Sequence, residues 1–119
     1  MSDLRPKPTE ITLGGREFGL LFDLNAIDEI QTRLDIPIAQ LFAEIKDQRK
    51  GYRALKVVLT ILINEAIDDA ETNEPRVDER WVGRKVKPAD FVTYIKAVLT
   101  AFSDGSPEPD DESPNQPGE

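Results

Sequence analysis

Cysteine and histidine are both absent from this chain of 119 residues. Without cysteine, no disulfide can staple the fold and no thiolate can serve as nucleophile or metal ligand. Without histidine, the commonest general base near neutral pH is gone, and the usual zinc ligands go with it. A long apolar run is missing too: the longest, Val57 to Ile63, is interrupted by Thr60 and is far too short to span a bilayer. Residues 1–8 are polar, carry Pro6 and Pro8, and lack the apolar centre of a signal peptide, so a soluble, intracellular protein is expected. Positive charge is scarce as well. Lys plus Arg number 15 against 23 Asp plus Glu, a formal net charge of −8. Binding to a nucleic-acid backbone needs a concentrated basic surface, which this sequence does not show.

The negative charge is unevenly placed. Asp104, Glu108, Asp110, Asp111, Glu112 and Glu119 fall in the last sixteen residues, where there is no base. The same stretch holds four prolines, two glycines and no large apolar side chain, so it cannot bury enough surface to offset its ordering entropy. Residues 104–119 are therefore expected to be a disordered acidic, proline-rich tail, residues 1–8 a flexible N-terminus, and residues 9–103 a single small domain.

Within that domain, Thr9 to Phe22 reads as a β-hairpin. Gly14-Gly15 supplies the positive φ angles of a two-residue turn. That turn opposes Leu13 to Arg16, Ile11 to Phe18 and Thr9 to Leu20. Ile11, Leu13, Phe18, Leu20 and Phe22 then share one side, with Glu10, Thr12 and Glu17 on the other. A lone hairpin is marginal, so its apolar side must rest on helices. Asp23 or Asn25 can cap a helix carrying Ile27, Ile30 and Leu34, which Asp35-Ile36-Pro37 breaks. A second short helix follows from Pro37 with Ile38, Leu41, Phe42 and Ile45 at helical spacing, and Lys46 to Lys50 suits a helix end or an exposed connection. Tyr52 to Ala70 is the strongest helix, apolar over much of its circumference, and is expected to be the centre of the core. Asp78 caps a short turn containing Trp81 and Val82, with Gly83 as a stop. Pro88 sits at the first turn of a last helix, in which Phe91, Ile95, Val98, Leu99 and Phe102 follow the helical repeat to the end, and the apolar stripes of the helices are expected to be mostly core. The fold class is mainly α with an N-terminal β-hairpin, a small helical bundle followed by the acidic tail.

Few constellations offer chemistry. Glu65 and Asp69 lie four apart with Asp68 and Glu71 nearby, a spacing that can hold a metal or divide acid and base roles; carboxylates near a helix end are ordinarily a solvated face. Gly83-Arg84-Lys85 lacks the spacing of a phosphate-binding loop. Arg80, Arg84, Lys85 and Lys87 cluster beside Trp81. A nucleobase could stack there, but the cluster can equally meet an acidic protein or the chain's own tail while the indole packs in the core. Asp110-Asp111-Glu112 lacks the spaced ligands and turn glycine of a calcium loop. No catalytic, cofactor-binding or metal-binding residue is assigned, and an enzyme is not expected. The surplus of apolar faces points instead to self-association or partner binding.

Glu10-Ile-Thr-Leu-Gly-Gly-Arg-Glu-Phe18 followed by Leu21-Phe-Asp-Leu-Asn-Ala-Ile-Asp-Glu-Ile30 resembles the opening of tail assembly chaperones of long-tailed phages. Members of that family often begin with an "I-x-L-G-G-x-x-Y/F" hairpin and then "F-D-L-N-A-L-x-E-I-E"; here Ile27 and Gln31 depart from the pattern. Arg53 to Ala66, ending Asn-Glu-Ala, is similar to the family's buried helix. The resemblance spans about residues 9 to 102. It implies a helical protein of the host cell cytoplasm that coats the tape measure protein while the tail tube polymerises. A longer frameshifted form of such proteins recruits tail tube subunits. The resemblance brings no catalytic residues to carry over; no cofactor is expected, and the charge and the short apolar runs leave neither nucleic acid nor membrane as an expected partner. The alternatives from other classes are a structural head–tail connector or tail terminator and an acidic DNA mimic; the mimic would need its acids on the folded body rather than in the tail.

Overall fold

A computed structural model describes residues 9–105 of the chain. The expected flexible N-terminus and all but the first two residues of the expected tail, including Asp110-Asp111-Glu112, lie outside that description. Strand β1 (Thr9–Leu13) pairs antiparallel with β2 (Arg16–Leu20) in the register read from the sequence, Leu13 opposite Arg16 and Ile11 opposite Phe18. Gly14 and Gly15 both take positive φ, 61° and 80°, the backbone that makes a two-residue turn follow the strand twist. Leu13, Phe18, Leu20 and Phe22 are buried beneath it.

Five helices follow: α1 (Leu24–Leu34), α2 (Leu41–Lys46), α3 (Gly51–Ala70), α4 (Glu79–Lys85) and α5 (Phe91–Gly105). Helix α3 is the hub, packing against β2, α1, α2, α4 and α5. That position explains its composition. A helix surrounded on most sides must be apolar on most sides, and Leu55, Val57, Val58, Leu59, Leu62 and Ile63 are all buried. Each such aliphatic side chain stabilises the fold by roughly 1.5–3 kcal/mol relative to exposure. The hairpin is tied to this hub through its backbone, the Leu21 N–H donating to the Leu62 carbonyl at 3.1 Å.

Local signals set the helix ends. Asp23, not Asn25, caps α1, its carboxylate accepting from the Ala26 N–H at 2.9 Å. Asp35 closes α1 in the left-handed region, and short 3-10 turns at Ile38–Gln40 and Pro88–Asp90 lead into α2 and α5. Asp78 caps α4 by accepting from the Trp81 N–H at 2.8 Å.

Three expectations are corrected. Gly83 does not stop α4, which runs on to Lys85; the glycine lies where a Cβ would stand 2.9 Å from the Lys56 Cδ. Leu99 is not in the core of α5: it is 48% exposed, and the inward positions are Val98 and Ala101, with Tyr94 half-buried. The last helix also does not end by Ser103. It continues through Asp104 to Gly105, and Asp104 accepts a hydrogen bond from the Thr9 hydroxyl at 3.1 Å. With the Tyr94 hydroxyl donating to the Thr12 carbonyl at 2.9 Å, this lays β1 antiparallel along α5. No helix among the described residues is long and apolar enough to cross a membrane.

Candidate functional site

The start of α3, the middle of α4 and the lead into α5 meet at a cleft of about 470 Å³. Its walls are Tyr52, Arg53 and Lys56 from α3, Arg49 just before it, Val86 after α4, and Pro88 and Phe91. The cleft owes its form to two local events. The Asp47 carboxylate accepts from the backbone N–H groups of Arg49 and Lys50 at 2.8 and 2.9 Å, bending the chain between α2 and α3 so that Arg49 faces the opening. Those two bonds also hold the Asp47 carboxyl below its ordinary pKa. Gly51 then lets α3 pass against the Ile45 carbonyl so closely that a Cβ there would stand 2.1 Å from its oxygen. The Phe91 ring packs beside that contact and meets the Tyr52 ring at 4.8 Å between centroids.

Tyr52 is 62% exposed, which is unusual for a large aromatic and leaves much of its surface for a ligand. The three cations are equally uncommitted. Among the described residues the ion pairs are Arg16–Glu74, Arg33–Glu79 and Arg76–Asp68, and Arg49, Arg53 and Lys56 take part in none. The cleft thus offers two aromatic rings, a proline and three positive charges that form no ion pair among the described residues. On α5, Val92 (59% exposed), Lys96, Leu99 and Ser103 recur at i, i+4, i+7 and i+11 on one uncovered face. Tyr52, Val92 and Leu99 are three of the four exposed large hydrophobic side chains among the described residues; the fourth, Leu24, stands on α1.

The candidates from the sequence fare differently. Glu65 does not pair with Asp69, which is exposed; it accepts from Asn25 Nδ2 at 3.2 Å and lies against Asp23. Burial, then the contact with Asp23, raises its pKa against the lowering effect of Asn25. Asp68 is taken by the Arg76 guanidinium. Among the described residues no group of three carboxylates, histidines or cysteines stands together as a metal set. Trp81 is half-buried, its ring edge-on to Phe18 at 5.8 Å, with the Gly14 turn against its edge. Of the basic cluster, only Lys85 reaches the indole, 5.9 Å from its centre, and Arg16 from β2 lies over Phe18 and Trp81 at 4.7 and 5.8 Å. These cations cover a core aromatic.

A second hollow, between α1, α3 and α4, is lined by Glu29, Arg33, Asn64, Arg76 and Glu79. Arg33 and Glu79 pair with each other there, and Arg76 pairs with Asp68. Asn64, buried in α3, donates to the Val77 carbonyl and accepts from the Val77 N–H, both at 2.8 Å, so one side-chain amide takes the place of a strand neighbour. Sequence reasoning missed the cleft because Arg49, Tyr52 and Arg53 read as a helix start and an exposed connection. The signal that was there is an aromatic flanked by arginines outside the apolar stripe of α3. No protein-family model, curated protein or solved structure matches the chain.

Proposed function

We propose that this chain is a phage tail assembly chaperone, a non-catalytic protein of the host cell cytoplasm that binds the tape measure protein during tail morphogenesis. The observation that carries the reading is the exposed Tyr52 in a cleft with Arg49, Arg53 and Lys56, cations that form no ion pair among the described residues, together with the exposed Val92 and Leu99 of α5. Exposed apolar anchors beside positive charge suit docking of an amphipathic helix, whose apolar stripe covers the anchors while its acidic flank meets the arginines. The hairpin and first-helix motifs that resemble the chaperone family, Glu10 to Phe18 and Leu21 to Ile30, support the same reading.

The test is co-expression with a tape measure protein from the same genome. The chaperone should keep it in the supernatant, and the double variant Tyr52→Ser with Arg53→Glu should not. A tape measure protein equally insoluble with and without this chain removes the reading. Stoichiometric amounts of the chain in purified virions would favour a connector or terminator instead.

A further inference from the structure

Charge is laid along α3 in the order that the helix itself disfavours. A helix carries partial positive charge at its N-terminus and partial negative charge at its C-terminus, so acids stabilise the first and bases the second. Here the arrangement is reversed. Residues 49–56 hold four bases and no acid, and residues 65–71 four acids and no base. No acid stands in the first turn of α3 and no base in the last, so both ends add to the macrodipole instead of opposing it. Its 20 residues, at about 1.5 Å each, hold the ends about 30 Å apart, several times the screening length of about 8 Å in physiological salt. The two ends cannot neutralise each other within one molecule.

Each end also exposes one large apolar side chain. Tyr52 stands in the cleft with Arg49, Arg53 and Lys56. Leu24, 81% exposed, opens α1 beside the acidic end: its chain neighbours Asp23 and Asn25 both touch Glu65, and Asp28 lies one turn along on its own face. Arg76, which lies among these acids, is bound to Asp68, whereas Asp28 and Asp69 are exposed and enter no ion pair among the described residues. An apolar anchor set among carboxylates is the complement of an aromatic cleft rimmed by cations. We propose that in the free protein the cleft of one copy takes the Leu24 face of a second copy, with Arg49, Arg53 and Lys56 against the carboxylates around that leucine. The proposal rests on the reading of the cleft as a polypeptide-docking surface, and a tape measure helix that enters the cleft displaces the neighbouring copy. Because the two faces differ, the contact is head-to-tail. Each assembly keeps a free cleft at one end and a free Leu24 face at the other, so it has no fixed stoichiometry.

Sedimentation equilibrium of the full chain reads the contact directly. At low salt the average mass should climb with concentration between about 10 µM and about 1 mM, and about 0.5 M salt should return it to that of a monomer. Arg49→Glu with Arg53→Glu reverses the cleft, and Asp28→Lys with Asp69→Lys reverses the other face; all four side chains are exposed. Each double variant alone should associate about tenfold more weakly than the native chain, or not at all. Mixed in equal amounts, the two should form a 1:1 pair and stop there, because the first keeps a native Leu24 face and the second a native cleft. A native chain that stays monomeric at about 1 mM overturns the proposal. Undiminished association of the Asp28→Lys, Asp69→Lys variant also overturns it, because the cleft is then filled by another part of the chain. So does a mixture that stays monomeric while each variant keeps the native circular dichroism spectrum. No tape measure protein takes part, so failure here leaves the co-expression test of the chaperone reading untouched.

Discussion

Gly51 and Gly83 both lie in helices, yet their neighbours demand opposite outcomes on substitution. At Gly51 the space for a Cβ is taken by the Ile45 carbonyl, part of a backbone that cannot step aside. Gly51→Ala should therefore destabilise by on the order of 1–3 kcal/mol, read from the urea midpoint at unchanged slope. At Gly83 the obstacle is the Lys56 side chain, whose far end can swing away. Gly83→Ala should be neutral or stabilise by up to about 1 kcal/mol through lower unfolded-state entropy. Asn64 belongs to the same scale. Its amide satisfies both backbone groups of Val77 while buried in the hub helix. Asn64→Ala leaves the half-buried Val77 N–H and C=O without partners, and a loss of roughly 1–3 kcal/mol is expected from the same titration, at about 1–3 kcal/mol per fully buried orphaned group less recovery by water.

Helix α1 and helix α3 meet at a set of acids that serve structure. Asp23 caps α1 and touches Glu65, and Asn25, the other residue read as a cap, donates to Glu65 instead. The folded pKa of Glu65 lies above its unfolded value, chiefly through burial. The stability linked to its protonated form is thus complete below the unfolded pKa and is lost as pH rises through the folded one. At neutral pH the ionised Glu65 beside Asp23 is a small liability. Glu65→Gln keeps an acceptor for Asn25 and removes the charge, so it should raise the melting temperature at pH 7. Near pH 4, about the ordinary glutamate range, the difference should shrink towards zero. Most of the site is open to solvent, which holds the effect to less than about 1 kcal/mol. Removing the cap itself is a separate matter: Asp23→Ala orphans the Ala26 N–H and should cost about 1 kcal/mol at neutral pH, measured by thermal melting.

For the whole molecule, the distribution of exposed apolar surface separates stability from binding. The core is continuous from the hairpin through α3 to α5, with Phe22, Phe42 and Phe102 in ring contact at its far end. The cleft borders it, with Leu55 in its floor and the exposed Arg49, Tyr52 and Arg53 at its rim. Tyr52→Ser with Arg53→Glu changes only exposed side chains and should shift folding stability by no more than about 1 kcal/mol, while abolishing capture of the partner. A variant that loses partner and fold together, seen by circular dichroism, would mean that the cleft is structural.

Much of this architecture was legible before any coordinates. The hairpin register follows from Gly14-Gly15 and a period of two, because a turn of defined length leaves one pairing that puts Ile11, Leu13, Phe18 and Leu20 on the same side. The centrality of α3 follows from its apolar circumference, and the caps at Asp23 and Asp78 from chemistry within three residues. What escaped depends on neighbours distant in the chain. Leu99 fits the helical repeat as well as Val98 does, and only the placement of β1 and α3 against α5 decides which is covered. Gly83 lies inside α4, close under the Lys56 side chain, and Arg49, Tyr52 and Phe91 converge from the turn before α3, from α3 and from α5. Periodicity and capping are short-range and therefore sequence-determined. Which side of a helix remains uncovered, and so where this protein can bind, is settled by packing between segments that no local pattern encodes.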